Sequence, residues 1–120
     1  MRDAPQAAIR LADEADACAL SAWLNRAGHF RGLVDVTSNP DGTGSVADTV
    51  VVAVGSDTLA LLVSKIHDWM VLLGRGGTLT VTYTRPDAAP LEIEVAHSSD
   101  RTQLIDRVRR MVERDQRESA

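Results

Sequence analysis

The side chains able to do chemistry are few and scattered. One thiol, Cys18, lies in the stretch Ala15-Asp16-Ala17-Cys18-Ala19. A nucleophilic thiol needs a base and an orienting group beside it. Neither has a local signature here, so Cys18 is expected as a small buried or half-buried thiol. A single cysteine also excludes an internal disulfide and an all-cysteine metal cage. The imidazoles are His29, His67 and His97. None has a second histidine three or four residues away, the spacing that sets two ligands on one helix face. His67 and Asp68 adjoin in a helical stretch, where adjacent side chains diverge. These groups assign no catalytic, metal-binding or cofactor-binding residue; only folding could assemble such a site.

Two glycine-bearing turns precede helix-start signals: Asp41-Gly42-Thr43-Gly44-Ser45 and Gly55-Ser56-Asp57-Thr58. Backbone N–H groups in such turns can cradle phosphate. Neither carries the Walker lysine and neither completes G-x-G-x-x-G. Acids beside them repel an anion, so capping and turn geometry is the reading. Arg101, Arg107, Arg109, Arg110, Arg114 and Arg117 crowd the last segment, interleaved with Asp100, Asp106, Glu113 and Asp115. That pattern reads as a solvated helix face with ion pairs three and four residues apart. Nucleic acid is a poor partner. The net charge is −4, and two Trp, one Tyr and one Phe make no stacking platform. Trp23 and Trp69 fall in core phase; a partly exposed one becomes a natural partner hot spot.

The elements that must position these residues follow from periodicity. A chain of 120 residues with 44% hydrophobic and 25% charged residues fits one globular domain and excludes a wholly disordered one. Met1-Arg2-Asp3-Ala4-Pro5 is followed by no apolar run of secretory type. The apolar segment Val46–Leu73 carries Asp48, Asp57, Lys65, His67 and Asp68, which argues against a membrane span. The cytoplasm is the expected compartment.

Ala7, Ile9 and Leu11 alternate as a strand limited by Pro5. Asp13-Glu14 opens a helix whose face is Leu20, Trp23, Leu24 and Ala27, with Gly28 as its stop. Phe30–Thr37 reads as a second strand with Val34 and Val36 on one face. Ser38–Gly44 is a loop. Ser45-x-x-Asp48 resembles a capping box and predicts a helix from Val46. The β-branched run Val50-Val51-Val52 argues for a strand. Helix is favoured; a strand would instead suggest a βα unit and a parallel sheet. Ser56 or Asp57 then caps a helix with the stripe Leu59, Leu62, Val63, Ile66, Trp69, Met70 and Leu73, widened by Leu61, Val71 and Leu72. Gly74-Arg75-Gly76-Gly77 ends it.

Leu79, Val81 and Tyr83 alternate with threonines; Leu91, Ile93 and Val95 alternate with Glu92 and Glu94. These form a hairpin around the Arg85–Pro90 turn, Thr and Glu outward. Ser98 or Ser99 caps a last helix with the stripe Leu104, Ile105, Val108, Met111 and Val112. The predicted class is α+β: one domain over 1–120, ordered from 6 to 114, frayed over 115–120. Its order is β-α-β-α(α)-β-β-α, with about four strands and helices packed on one face.

Several segments together resemble a known family. They are Leu20-Ser21-Ala22-Trp23-Leu24, Arg31-Gly32-Leu33-Val34, glycines 42 and 44, Val52-Ala53-Val54-Gly55-Ser56, Leu59-Ala60, Asp68-Trp69-Met70, Thr78–Thr82 and Arg85-Pro86-Asp87. The pattern resembles effector-associated constant component 1, small actinobacterial proteins encoded beside or fused to variable effectors of biological-conflict systems. Asp87 is followed by Ala88-Ala89-Pro90 where glycine is typical of that family. The resemblance implies no catalytic residues and no cofactor. It implies a constant partner that holds or regulates an effector, such as a caspase-like or trypsin-like peptidase, or its NTP-dependent regulator.

The leading expectation is therefore a non-enzymatic adaptor. Its candidate surface is Gly42, Thr43, Gly44, Ser45 and Arg75 in loops, with Thr80, Thr82, Glu92 and Glu94 on the hairpin. An open sheet edge could take a partner strand or a second copy as a homodimer. The alternatives are a sensor of an anionic metabolite or nucleotide, and an enzyme using Cys18, a histidine or buried carboxylates.

Overall fold

The computed structural model describes residues 5–26, 28–37, 48–74, 76–86 and 89–119. Among these, the elements run β1 (Gln6–Arg10), α1 (Glu14–Arg26), β2 (Val34–Thr37), β3 (Thr49–Ala53), α2 (Ser56–Leu72), β4 (Thr78–Thr84), β5 (Leu91–Ala96) and α3 (Arg101–Ser119). The strands form one sheet in the order β2-β3-β1-β4-β5, and every pairing is antiparallel. The α+β class, the hairpin and the one-sided helical layer are as the periodicity predicts. The sheet has five strands rather than four.

The added strand is β3, where a helix was expected. Three successive valines lose χ1 freedom in a helix and pack well on a pleated surface. Here that preference wins because β3 lies between β2 and β1, with Val50 and Val52 wholly buried. The strand runs antiparallel to both neighbours, so no parallel βα unit arises. Asp48 ties strands together instead of capping a helix. Its C=O accepts the Leu11 N–H at 2.8 Å, and its carboxylate meets the Thr49 hydroxyl at 3.1 Å and Arg10 at 3.5 Å.

The second strand is shorter than expected. Residues 30–33 turn, with the Leu33 N–H donating to the Phe30 C=O at 2.9 Å and Gly32 at φ +79°. Phe30 still joins the core, 1% exposed. Helix caps also move from their expected positions. Gly55 precedes α2, its N–H donating to Thr58 Oγ1 at 3.1 Å, so Ser56 and Asp57 lie inside the first turn. Asp100 caps α3, accepting the Gln103 N–H at 3.0 Å. Ser99 instead closes the turn after β5, accepting the Ala96 N–H at 3.2 Å.

Strand alternation sorts the two sheet faces. Ala7, Ile9, Val50, Val52, Val81, Tyr83, Ile93 and Val95 are buried beneath Leu20, Leu24, Leu59, Leu62, Ile66, Trp69, Leu104 and Val108 from the helices. Gln6, Arg10, Asp35, Thr80, Glu92 and Glu94 are exposed on the other face. Each large aliphatic side chain buried here contributes roughly 1.5–3 kcal/mol.

Candidate functional site

The helix α2 buries one face along most of its length, ending with Trp69 and Met70. Its last turn does not follow. Val71, Leu72 and Leu73 are 49%, 67% and 52% exposed. Consecutive helical residues point in directions about 100° apart, so three apolar neighbours cannot all face one core. Gly74, at φ +65°, then turns the chain away in a conformation that favours glycine. An exposed run of apolar residues is retained where it serves contact with something else.

Trp23 stands beside this end. It is half-buried on α1, and its indole N–H donates to the Lys65 C=O at 3.0 Å, which fixes the ring. Between them lies a hollow of about 500 Å³ lined by Trp23, Lys65, His67, Asp68, Val71, Leu72 and Arg101. One side of the lining is tied: Arg101 Nε donates to Asp68 Oδ1 at 3.1 Å. His67 is 6% exposed, and neither ring nitrogen has a hydrogen-bond partner among the described residues. An apolar floor, an anchored aromatic and a charged rim are the parts of a protein-docking hot spot.

The sequence showed this site only indirectly. The α2 stripe was too wide for one buried face, and Val71, Leu72 and Leu73 are its surplus. Trp69 is a core anchor, 2% exposed, whereas Trp23 is the partly exposed one.

The residues singled out for chemistry are dispersed. Cys18 is exposed, not buried or half-buried, because α1 buries Ala17, Leu20 and Leu24 and the next position turns outward. His29 and His97 are exposed, His29 with its ring 6.5 Å from that of Phe30. Among the described residues, no three His, Cys, Asp or Glu side chains gather as a metal would require. A second hollow of about 790 Å³ is lined in part by Arg10, Leu11, Asp16, Trp69, Gly77 and Thr80. Arg10 there already meets Asp48, and the Asp16 carboxylate opposes an anion.

Gly42, Thr43, Gly44, Ser45 and Arg75 lie outside the described residues. The hairpin residues come together as one block on the open face. Thr80 is opposite Glu94 and Thr82 opposite Glu92. Thr80 and both acids are exposed, and Thr82 is half-buried. At the far end of β4, Arg85 lies over the Tyr83 ring, 5.6 Å from its centroid, and donates to Asp115 of α3 and to the Ala89 C=O, both at 2.8 Å. Burial pushes the Tyr83 phenol above its ordinary value, against the lowering effect of the Arg85 charge. On α3, Arg110 pairs with Asp106 four residues away, while Arg101 and Asp115 reach off the helix to Asp68 and Arg85.

Fold and site together define a small α+β domain with a solvent-facing apolar cluster at the end of its central helix. The family model described as Effector Associated Constant Component 1 matches residues 10–113, and the chain belongs to that family. Its description marks an accessory component associated with effectors. Searches of curated proteins and of solved structures gave no match. Among the described residues, no helix is long and apolar enough to cross a membrane.

Proposed function

We propose that this protein is a non-enzymatic adaptor that docks an effector, or that effector's NTP-dependent regulator, at the end of α2. The supporting observation is the exposed run Val71–Leu73 beside the anchored Trp23 and its hollow. Covering that run removes apolar surface from water at about 25 cal/mol per Å², and the indole supplies a rigid anchor. Family membership supports an effector as the occupant, and the resemblance to conflict-system proteins suggests a caspase-like or trypsin-like peptidase.

The test is purification of the tagged protein from its native host, with Leu72→Asp as the matched variant. Leu72 is 67% exposed, so the substitution leaves the core intact. The expected result is a stoichiometric peptidase or regulator with the native chain, lost from the variant at unchanged melting temperature. A partner held equally by both chains places docking elsewhere. A preparation with no partner overturns the adaptor reading.

The second reading, sensing of an anionic metabolite or nucleotide, has only the size of the hollow of about 790 Å³ in its favour, since Arg10 there is paired with Asp48 and Asp16 opposes an anion. A ligand of the native state must raise stability. A thermal-shift series with nucleotides and phosphorylated metabolites that gives no rise eliminates it.

A further inference from the structure

The β5 edge carries a second kind of surface. The His97 N–H donates to the Gly77 C=O at 3.2 Å, continuing the β4–β5 register. Hydrogen-bonded and non-bonded pairs alternate along an antiparallel ladder. Leu91, Ile93 and Val95 are therefore the residues whose backbone groups face β4. Those of Glu92, Glu94 and Ala96 point away from the sheet. Ala96 is satisfied locally: its N–H donates to Ser99 Oγ and its C=O accepts the Ser99 N–H. Among the described residues, no strand lies beyond β5 and no hydrogen bond of this kind serves Glu92 or Glu94.

The two side-chain faces of that edge differ. Glu92 and Glu94 project from the open face, both exposed. On the helical side, a hollow of about 110 Å³ between β5 and α3 is lined by half-buried Leu91 and Met111 and by Arg114 and Asp115 of α3. A strand laid along β5 would set alternate side chains opposite the two acids and the intervening ones toward this hollow. A second copy is a poor occupant. In the register centred on Ile93, each Glu92 would face the Glu94 of the other chain, and like charges directly opposite destabilise a sheet.

We infer that the β5 edge binds an extended segment of a partner protein, in which basic residues alternate with apolar ones, by adding a strand to the sheet. Backbone groups of Glu92 and Glu94 supply the hydrogen bonds, their carboxylates select the cations, and the Leu91–Met111 hollow receives an apolar side chain. This site is separate from the docking site at the end of α2.

The test uses the full chain, isotope-labelled, and three capped short peptides. One alternates Lys and Val, one alternates Glu and Val, and one holds Lys and Val in separate blocks. The alternating Lys peptide should slow amide exchange at Glu92 and Glu94 and bind about tenfold more tightly than the alternating Glu peptide. The double variant Glu92→Lys/Glu94→Lys should reverse that preference. Glu94→Pro should weaken binding while keeping the fold, since it removes a donor that faces away from β4. Absence of protection at these two amides overturns the inference. So does equal binding of the blocked peptide, or indifference to Glu94→Pro. The peptides are read on the free protein, so their failure leaves effector docking at α2 standing, and loss of effector docking leaves this site standing.

Discussion

Three side chains at the far end of β4, Arg85, Asp115 and Tyr83, carry the residue-scale predictions. Arg85 and Asp115 have side chains only 11% and 21% exposed and meet at 2.8 Å. Hydrogen bonds to charged groups contribute about 1.5–3 kcal/mol. Asp115→Ala should lower the unfolding free energy by about that much in urea titration, while Asp106→Ala, at an exposed pair, should cost well under 1 kcal/mol. Equal losses would show that the Arg85 contact adds nothing. Tyr83 links stability to alkaline pH. Its folded-state pKa lies above the unfolded value of about 10. The unfolded chain therefore releases the phenolic proton first. Stability from this group is fully present below about pH 10 and falls as pH rises through the folded value. Tyr83→Phe should blunt the alkaline drop in melting temperature. An identical alkaline profile in the variant would remove Tyr83 as its cause. At this scale the sequence was legible by type and less so by direction. Trp69 was readable as core from its phase. Cys18 was misjudged because a small side chain among alanines carries no phase of its own.

The elements were legible wherever pattern and propensity agreed. The threonine and glutamate alternation of β4 and β5, the α3 stripe and the α2 stripe as far as Met70 lie as their periods demand, while Leu73, the expected end of the α2 stripe, is exposed. Where two signals competed over Thr49–Ala53, the capping pattern lost to three β-branched residues held at the centre of a sheet. That choice depended on β1 and β2 lying alongside, which no local window contains. Cap positions were uncertain for a similar reason, since Ser98, Ser99 and Asp100 are all competent. The structure distinguishes them: Asp100→Ala should cost about 1 kcal/mol in thermal unfolding, whereas Ser98→Ala should cost a few tenths at most. The reverse order of costs would move the cap back to serine.

The molecule as a whole presents two unlike surfaces, an apolar one where α2 ends and an acidic, strand-shaped one along β5. The first was hidden in the sequence because its residues extend a legitimate core stripe. The second was half visible: the glutamates were legible as outward, but an edge exists only once strand order is known. The same charges should oppose pairing of two copies along this edge. The native chain should sediment without β5-mediated pairing. Glu94→Lys sets an acid against a lysine twice in the register centred on Ile93, and should shift the chain toward a dimer at the same concentration. Sedimentation profiles that match would show that these charges do not guard the edge.

The position of β1 also governs how the chain is made. It emerges before the other strands of the sheet, yet it occupies the middle between β3 and β4. Its Ile9 is flanked by Val50 on one side and Val81 on the other, both far down the chain. Closing such distant contacts slows folding. During synthesis β1 can pair with β3 while its other edge stays bare until β4 leaves the ribosome. For that interval the nascent chain exposes the unpaired edge of a strand whose centre is Ala7, Ala8 and Ile9, the kind of surface that chaperones cover and that aggregates recruit.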